Sequence, residues 1–172
     1  MKDDFVMPIL VLVLICLFVT GALAATNAAT APIITAAAAE RAERARNRLI
    51  SDTSFVMIDS VELPDTVREA YKAENGAGFI FIVAVRGYGG DIIVICAIDS
   101  NGVYINSETL DHSETSGIGT RISEPQFLDQ FTGADHQLSG VSAVTGATVS
   151  TEAYIRAISD VFTAFEIVKG VG

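Results

Sequence analysis

Tryptophan is absent from the 172 residues, Cys and His occur twice each, Pro four times, and basic side chains number 11 against 21 acidic ones. The basic deficit, a formal net charge of −10, argues against nucleic acid as a partner, because neutralising phosphates takes clustered Lys and Arg. Two cysteines make no disulfide framework. Cys16 lies in an apolar run and Cys96 in an expected strand, so the pair is not placed to bridge, and Cys96 reads as a small core residue. His112 and His136 stand alone, without Cys or carboxylate at ligand spacing, and are expected as loop or surface residues. Ser113 has no partner arrangement suggesting a nucleophile. Charge itself is missing from residues 5–39, whereas the chain from Leu49 onward carries 6 basic and 17 acidic side chains, net −11. The molecule therefore divides into an apolar leader and an acidic remainder whose Val, Ile and Phe runs are too dense for disorder.

Residues 5–25 form an uncharged run that as a helix measures about 31 Å, matching a hydrocarbon core of about 30 Å. A transmembrane helix is expected. The competing reading is a cleaved signal peptide, since Ala22-Leu23-Ala24 resembles a cleavage site, but the run is longer than the usual signal core of about 7 to 15 residues. Arg41, Arg44, Arg46 and Arg48 would by themselves favour the cytoplasm for the remainder of the chain, yet Glu40 and Glu43 dilute them and charge alone does not settle orientation.

Residues 26–32 are small and polar, a membrane exit, and residues 35–50 read as an Ala-rich helix. A strand is expected over 55–61 and a short helix over 65–74, entered through Pro64. Residues 79–85, 92–98 and 103–110 are the clearest strands, separated by the Gly-rich turn at 87–90 and by Asn101-Gly102. They predict an antiparallel meander. The first two are apolar on both faces, so helices should cover one side and the rest of the domain or a ligand the other. A short helix should carry Phe127, Leu128 and Phe131. The last element, about 150–169, places Tyr154, Ile158, Val161, Phe162, Phe165 and Val168 on one stripe of an amphipathic helix. The expected fold class is α+β: a tail and single transmembrane helix in 1–25, a connecting helix in 26–50, and one compact domain in 51–172.

Two segments are too polar and Gly-rich for ordinary connections: residues 111–120 and residues 142–151. The second leads into the terminal helix, where a Gly turn with unpaired N–H donors and the positive end of the helix dipole suits a phosphate. Thr148, Ser150 and Thr151 add hydroxyls. The plainer alternative is that Thr148 or Ser150 is only an N-cap.

Thr145-Gly146-Ala147-Thr148 resembles the S/T-G-A-T motif of the FMN-binding domain family, found in the G subunit of Rnf ion-translocating oxidoreductases and the C subunit of sodium-translocating NADH:quinone reductases. Glu114-Thr115-Ser116-Gly117-Ile118-Gly119 resembles the family's E-T-P-G-L-G loop, with Ser116 and Ile118 as departures. Ser142 stands where the family often has Asp. The resemblance extends through Gly87-Tyr88-Gly89-Gly90 and residues 99–103 and 126–131, and nearly spans the chain. It implies FMN attached by a phosphoester to Thr148, installed by a separate flavin transferase, with Thr145, Gly146 and Ala147 forming the attachment turn. Glu114, Thr115, Gly117, Ile118 and Gly119 would contact the flavin. It further implies an electron-transfer subunit, most like the G subunit of an Rnf complex, working with other subunits of a membrane redox complex, its domain on the extracytoplasmic side. A stand-alone FMN carrier, a quinone-reductase C subunit and a flavin-free membrane-tethered binding module are the alternatives.

Overall fold

A computed structural model of the chain describes residues 3–134, 136, 138 and 140–170. Its elements are α1 (Asp3–Leu49), β1 (Phe55–Met57), β2 (Val67–Ala73), β3 (Gly78–Arg86), β4 (Asp91–Asp99), β5 (Tyr104–His112), α2 (Pro125–Leu128) and α3 (Thr148–Lys169), with 3-10 turns at Gly119–Ser123 and Asp129–Phe131. Two compact units are present, Met1–Glu40 and Arg41–Gly172.

In the first unit the apolar side chains face outward, from Met7 and Leu12 to Phe18 and Leu23, as in a helix whose solvent is lipid. By length and composition this helix can cross a membrane. The expected separate helix over 35–50 is instead the end of α1, which runs through the polar segment and through Pro32. Thr26, Thr30 and Thr35 donate their hydroxyls to the carbonyls of Ala22, Thr26 and Ala31 at 2.9–3.0 Å, so the small polar residues satisfy themselves within the helix.

The second unit is built on a five-stranded antiparallel sheet in the order β1-β2-β3-β4-β5. The meander lies where the apolar runs place it, and the whole is α+β. Register explains the two-faced burial. Phe79, Phe81, Val83 and Val85 of β3 stand opposite Ile98, Cys96, Val94 and Ile92 of β4 on one face, while Ile80 and Ile82 oppose Ala97 and Ile95 on the other. The first face packs against Tyr154, Ile158, Val161, Phe162, Phe165 and Val168, the predicted stripe of α3, all buried. Each such side chain contributes about 1.5–3 kcal/mol relative to exposure. Phe127 and Phe131 complete this core, their rings 5.3 Å apart and edge-on. The other face is covered by the end of α1 within the same unit: Ala42, Ala45, Leu49 and Ile50 pack on Ile80, Ile82 and Ile95. No ligand is needed to cover that face. Arg48 makes a forked ion pair with Glu108 of β5 at 2.6–3.1 Å, and the Arg46 guanidinium lies 4.4 Å from the centre of the Tyr71 ring. The exposed Arg48 pair adds about 0–1 kcal/mol. Its use is to fix where the helix ends on the sheet.

Residues 67–73, expected as helix, form strand β2. Val67 and Ala70 suggest a helical three-residue spacing, but a β-bulge between Val67 and Glu69 breaks the two-residue alternation and turns both toward the same core. Pairing with β3 then decides the matter, since an apolar strand edge gives register partners to Val67 and to Glu69, Ala70, Tyr71 and Lys72. The strand expected over 55–61 stops at Met57, because Ile58, Val61 and Leu63 fold inward against the main core.

One polar group crosses that core. Tyr104 donates its hydroxyl to Ser107 Oγ, which also bonds Tyr154 on α3, each at 2.7 Å. Burial pushes both phenols well above the ordinary tyrosine range, although the bond to Ser107 acts in the opposite sense. Ser107→Ala removes the shared partner of two buried hydroxyls, and each orphaned group costs about 1–3 kcal/mol. A loss of about 2–4 kcal/mol is expected in denaturant titration. Adding Tyr154→Phe to that variant should recover part of it; strict additivity of the two changes would refute the shared bond. On the other face, Ala45→Leu inserts three carbons where the helix meets the sheet, and overpacking of about 1–3 kcal/mol should lower the melting temperature.

Candidate functional site

The antiparallel order sets the β3–β4 turn beside the exit of β5, since Ile92 pairs with His112. Three segments meet there around a cleft of about 480 Å³: Tyr88 from the β3–β4 turn, Glu114, Thr115, Ile118 and Gly119 from the loop after β5, and residues 146–150 entering α3. The two polar, Gly-rich segments, distant in sequence, thus face each other across one space.

The loop after β5 is folded on itself. The carbonyl of Thr115 accepts the N–H groups of Ile118, Gly119 and Thr120 at 2.9–3.3 Å, and the Thr120 hydroxyl accepts that of Gly117 at 3.0 Å. Glu114 is drawn inward, only 8% exposed. Its Oε1 accepts the Gly89 N–H at 3.2 Å and its Oε2 the Ser150 hydroxyl at 2.6 Å, so this one carboxylate ties the β3–β4 turn to the first turn of α3. The space it occupies requires glycine nearby: a Cβ on Gly119 would stand 2.7–2.8 Å from Glu114 Oε2 and Cβ, and one on Gly87 would overlap Oε1.

The other wall is the entry to α3. Gly146 has φ +83°, a conformation that L side chains adopt only with strain, and this turn brings Ala147 to the N-cap. Ala147 has no side-chain cap to offer, so neither Thr148 nor Ser150 is the N-cap anticipated as the plainer alternative. The N–H groups of Thr148, Val149 and Ser150 lie in the first helical turn, where no intrahelical acceptor exists. The hydroxyls divide. Ser150 points to Glu114 and Thr151 accepts the Val144 N–H at 3.2 Å, so both are turned into the protein, whereas Thr148 is exposed in the cleft. Of the large apolar side chains exposed on this unit, Tyr88, Ile118 and Val149 converge here, a lining suited to a flat, partly apolar ring.

Of the residues singled out by sequence, Thr148, Gly146, Ala147, Glu114, Thr115, Ile118 and Gly119 line the cleft. Thr145 lines a smaller hollow with Arg121, Gln130 and Ser142, and Gly117 shapes the loop at φ +77° without lining the cleft. Sequence reasoning missed Tyr88 and Val149 as site residues, and gave Ser150 to a phosphate rather than to Glu114. A tyrosine set among three turn glycines was the available signal for Tyr88. Among the described residues no group of His, Cys, Asp and Glu is arranged to hold a metal ion.

Comparison with known proteins agrees with this geometry. The FMN-binding domain family model matches residues 87–163, which hold every residue lining the cleft. The chain is 26% identical over 126 residues to the G subunit of the proton-translocating ferredoxin:NAD(+) oxidoreductase complex of Clostridium ljungdahlii, covering 64% of this chain and 68% of that one. It is 27% identical over 188 aligned positions to the G subunit of the ion-translocating oxidoreductase complex of Shewanella baltica, covering 93% and 89%, and 31% identical over 135 residues to that of Shewanella loihica, covering 68% and 61%. Over residues 87–163, then, the chain is similar to the FMN-binding domain family.

Proposed function

We propose that this chain is the FMN-bearing electron-transfer subunit of a membrane-bound ion-translocating oxidoreductase of the ferredoxin:NAD type, with FMN held by a phosphoester on the Thr148 hydroxyl. One observation carries the reading. Thr148 is the exposed hydroxyl at the first turn of α3, inside the cleft, beside three N–H groups free to face a phosphate. Among the described residues no Lys or Arg lines that cleft, and Glu114 adds a negative charge to its wall. Free FMN, a dianion at its phosphate, would meet helix dipole and N–H groups without a countercharge. A covalent ester removes one of those charges and holds the group without an ion pair.

The bound flavin supplies the electron-transfer chemistry; the chain supplies position and exclusion of water. Tyr88, Ile118 and Val149 offer apolar surface to the ring, and Gly146 sets the turn that aims Thr148 into the cleft. No side chain is required as a general acid or base. Residues 1–25 anchor the domain in the membrane and residues 26–40 connect it, with the acidic domain on the extracytoplasmic side. A flavin transferase matures the chain, and its working partners are the other subunits of the complex.

Co-expressed with a flavin transferase and run on a denaturing gel, the wild type should fluoresce under ultraviolet light and carry the mass of FMN. Thr148→Ala should abolish both while leaving the stability of the apoprotein within about 0.5 kcal/mol of wild type, because the side chain is exposed. Thr145→Ala, outside the cleft, should keep its fluorescence. A fluorescent Thr148→Ala band would sink the attachment assignment.

A further inference from the structure

We propose that Glu114 sets the electron affinity of the flavin: its buried charge disfavours the reduced state, and Ser150 is the positioning residue that holds and screens the carboxylate. The inference rests on the FMN reading above. It begins from a charge that the fold treats unusually. Glu114 is 8% exposed and forms part of the cleft wall, yet both of its oxygens are held by neutral donors, the Gly89 N–H and the Ser150 hydroxyl. Among the described residues it takes part in no ion pair, and no cation shares the lining. His112 Nδ1 accepts the Glu114 backbone N–H at 3.3 Å and makes no bond to the carboxylate among those the structure shows.

Burying a carboxylate without a cation is costly, and one set in the wall of a cleft is a candidate for function. The surroundings are fitted to this group in particular. Glycine at 87 and at 119 leaves the space that the carboxylate fills, where any Cβ would collide with it. Partial compensation comes from the N-terminal end of α3, in which Ser150 is the third residue. That end is the one facing Thr148, so the carboxylate, the helix terminus and the tether form a single electrostatic unit around the cleft.

Reduction of the flavin brings two electrons from the donor and one proton from solvent, so the ring gains one net negative charge; Glu114 gives and takes neither electron nor proton. Charge added near a fixed negative group in a poorly screened cleft is disfavoured, so the midpoint potential is pulled down. Hydrogen bonds from Gly89 and Ser150 spread that charge and limit the effect. The two residues therefore act in opposite directions, which separates an electrostatic role from a structural one.

The test is a spectroelectrochemical titration of the full-length, FMN-loaded chain in detergent. Glu114→Gln, which keeps shape and removes charge, should favour the reduced state at least tenfold at a fixed potential, a positive shift of about 30 mV for a two-electron couple. Glu114→Asp, which keeps the charge, should remain on the wild-type side of that shift. Ser150→Ala, which leaves the carboxylate less screened, should move the potential the other way. An unchanged potential in Glu114→Gln overturns the proposal, as do shifts of the same sign in Glu114→Gln and Ser150→Ala, the mark of a merely loosened cleft. A Gln variant that folds without taking flavin assigns Glu114 to attachment and overturns it too. Should the Gln variant not fold, the sign of the Ser150→Ala shift decides. A wild-type chain without the mass of FMN would instead overturn the function on which this inference rests, so the two failures are told apart by mass before any potential is read.

Discussion

The structure depends on the burial of β3 and β4 on both faces. A strand pair whose side chains are apolar in both directions cannot meet water on either side, and a lone amphipathic helix covers only one. α3 closes the face lined by Phe81 and Val94, and the last turns of α1 close the face lined by Ile80 and Ile95. The segment from Arg41 onward is therefore part of the compact unit, and two of its arginines belong to the fold. Arg46 lies on Tyr71 and Arg48 on Glu108. Charges engaged in this way are a poor guide to membrane orientation, because their place is set by the sheet they pack on.

The position of the cleft follows from the same sheet. Antiparallel order brings the β3–β4 turn and the end of β5 to one end of the sheet, and packing of α3 against β3 and β4 brings the helix entry there as well. Three chain segments with no regular pairing among them must then be joined by side chains. Glu114 does this, with one oxygen to the turn and one to the helix. Nothing in the local sequence of any one segment specifies that junction.

This sets what could be read beforehand. The central strands of the meander were legible as short apolar runs bounded by turn residues, and the buried stripe of α3 as a periodicity of about 3.6 residues; both are local features that the core simply uses. The helix expected over 65–74 failed because a bulge at Val67 and Glu69 mimics a helical spacing; only pairing with β3, a non-local fact, distinguishes the two. Thr148 stands out in the sequence because a motif and the chemistry of a helix entry point to the same atom, and it lies exposed in the cleft. Ser150 was misassigned since its neighbour in the sequence is that entry, while its partner, Glu114, is 36 residues away. Tyr88 has only its setting among three turn glycines as a signal, and enters the site because the sheet carries its turn there.

A cleft without a cation imposes a choice on how an anionic cofactor is held. Ionic capture needs Lys or Arg, and such side chains would also stabilise added electrons, raising the potential along with the affinity. In this chain attraction is left to N–H groups and a helix dipole, while the only charged side chain in the lining, among the described residues, is a carboxylate. The proposed bond to Thr148 would separate the two demands. Retention would then not depend on charge, the charge around the ring would be free to be set for electron transfer, and a buried Glu114 that would weaken binding of a free anion would become tolerable. The scarcity of basic residues, first seen as a deficit in composition, is in this sense a property of the site.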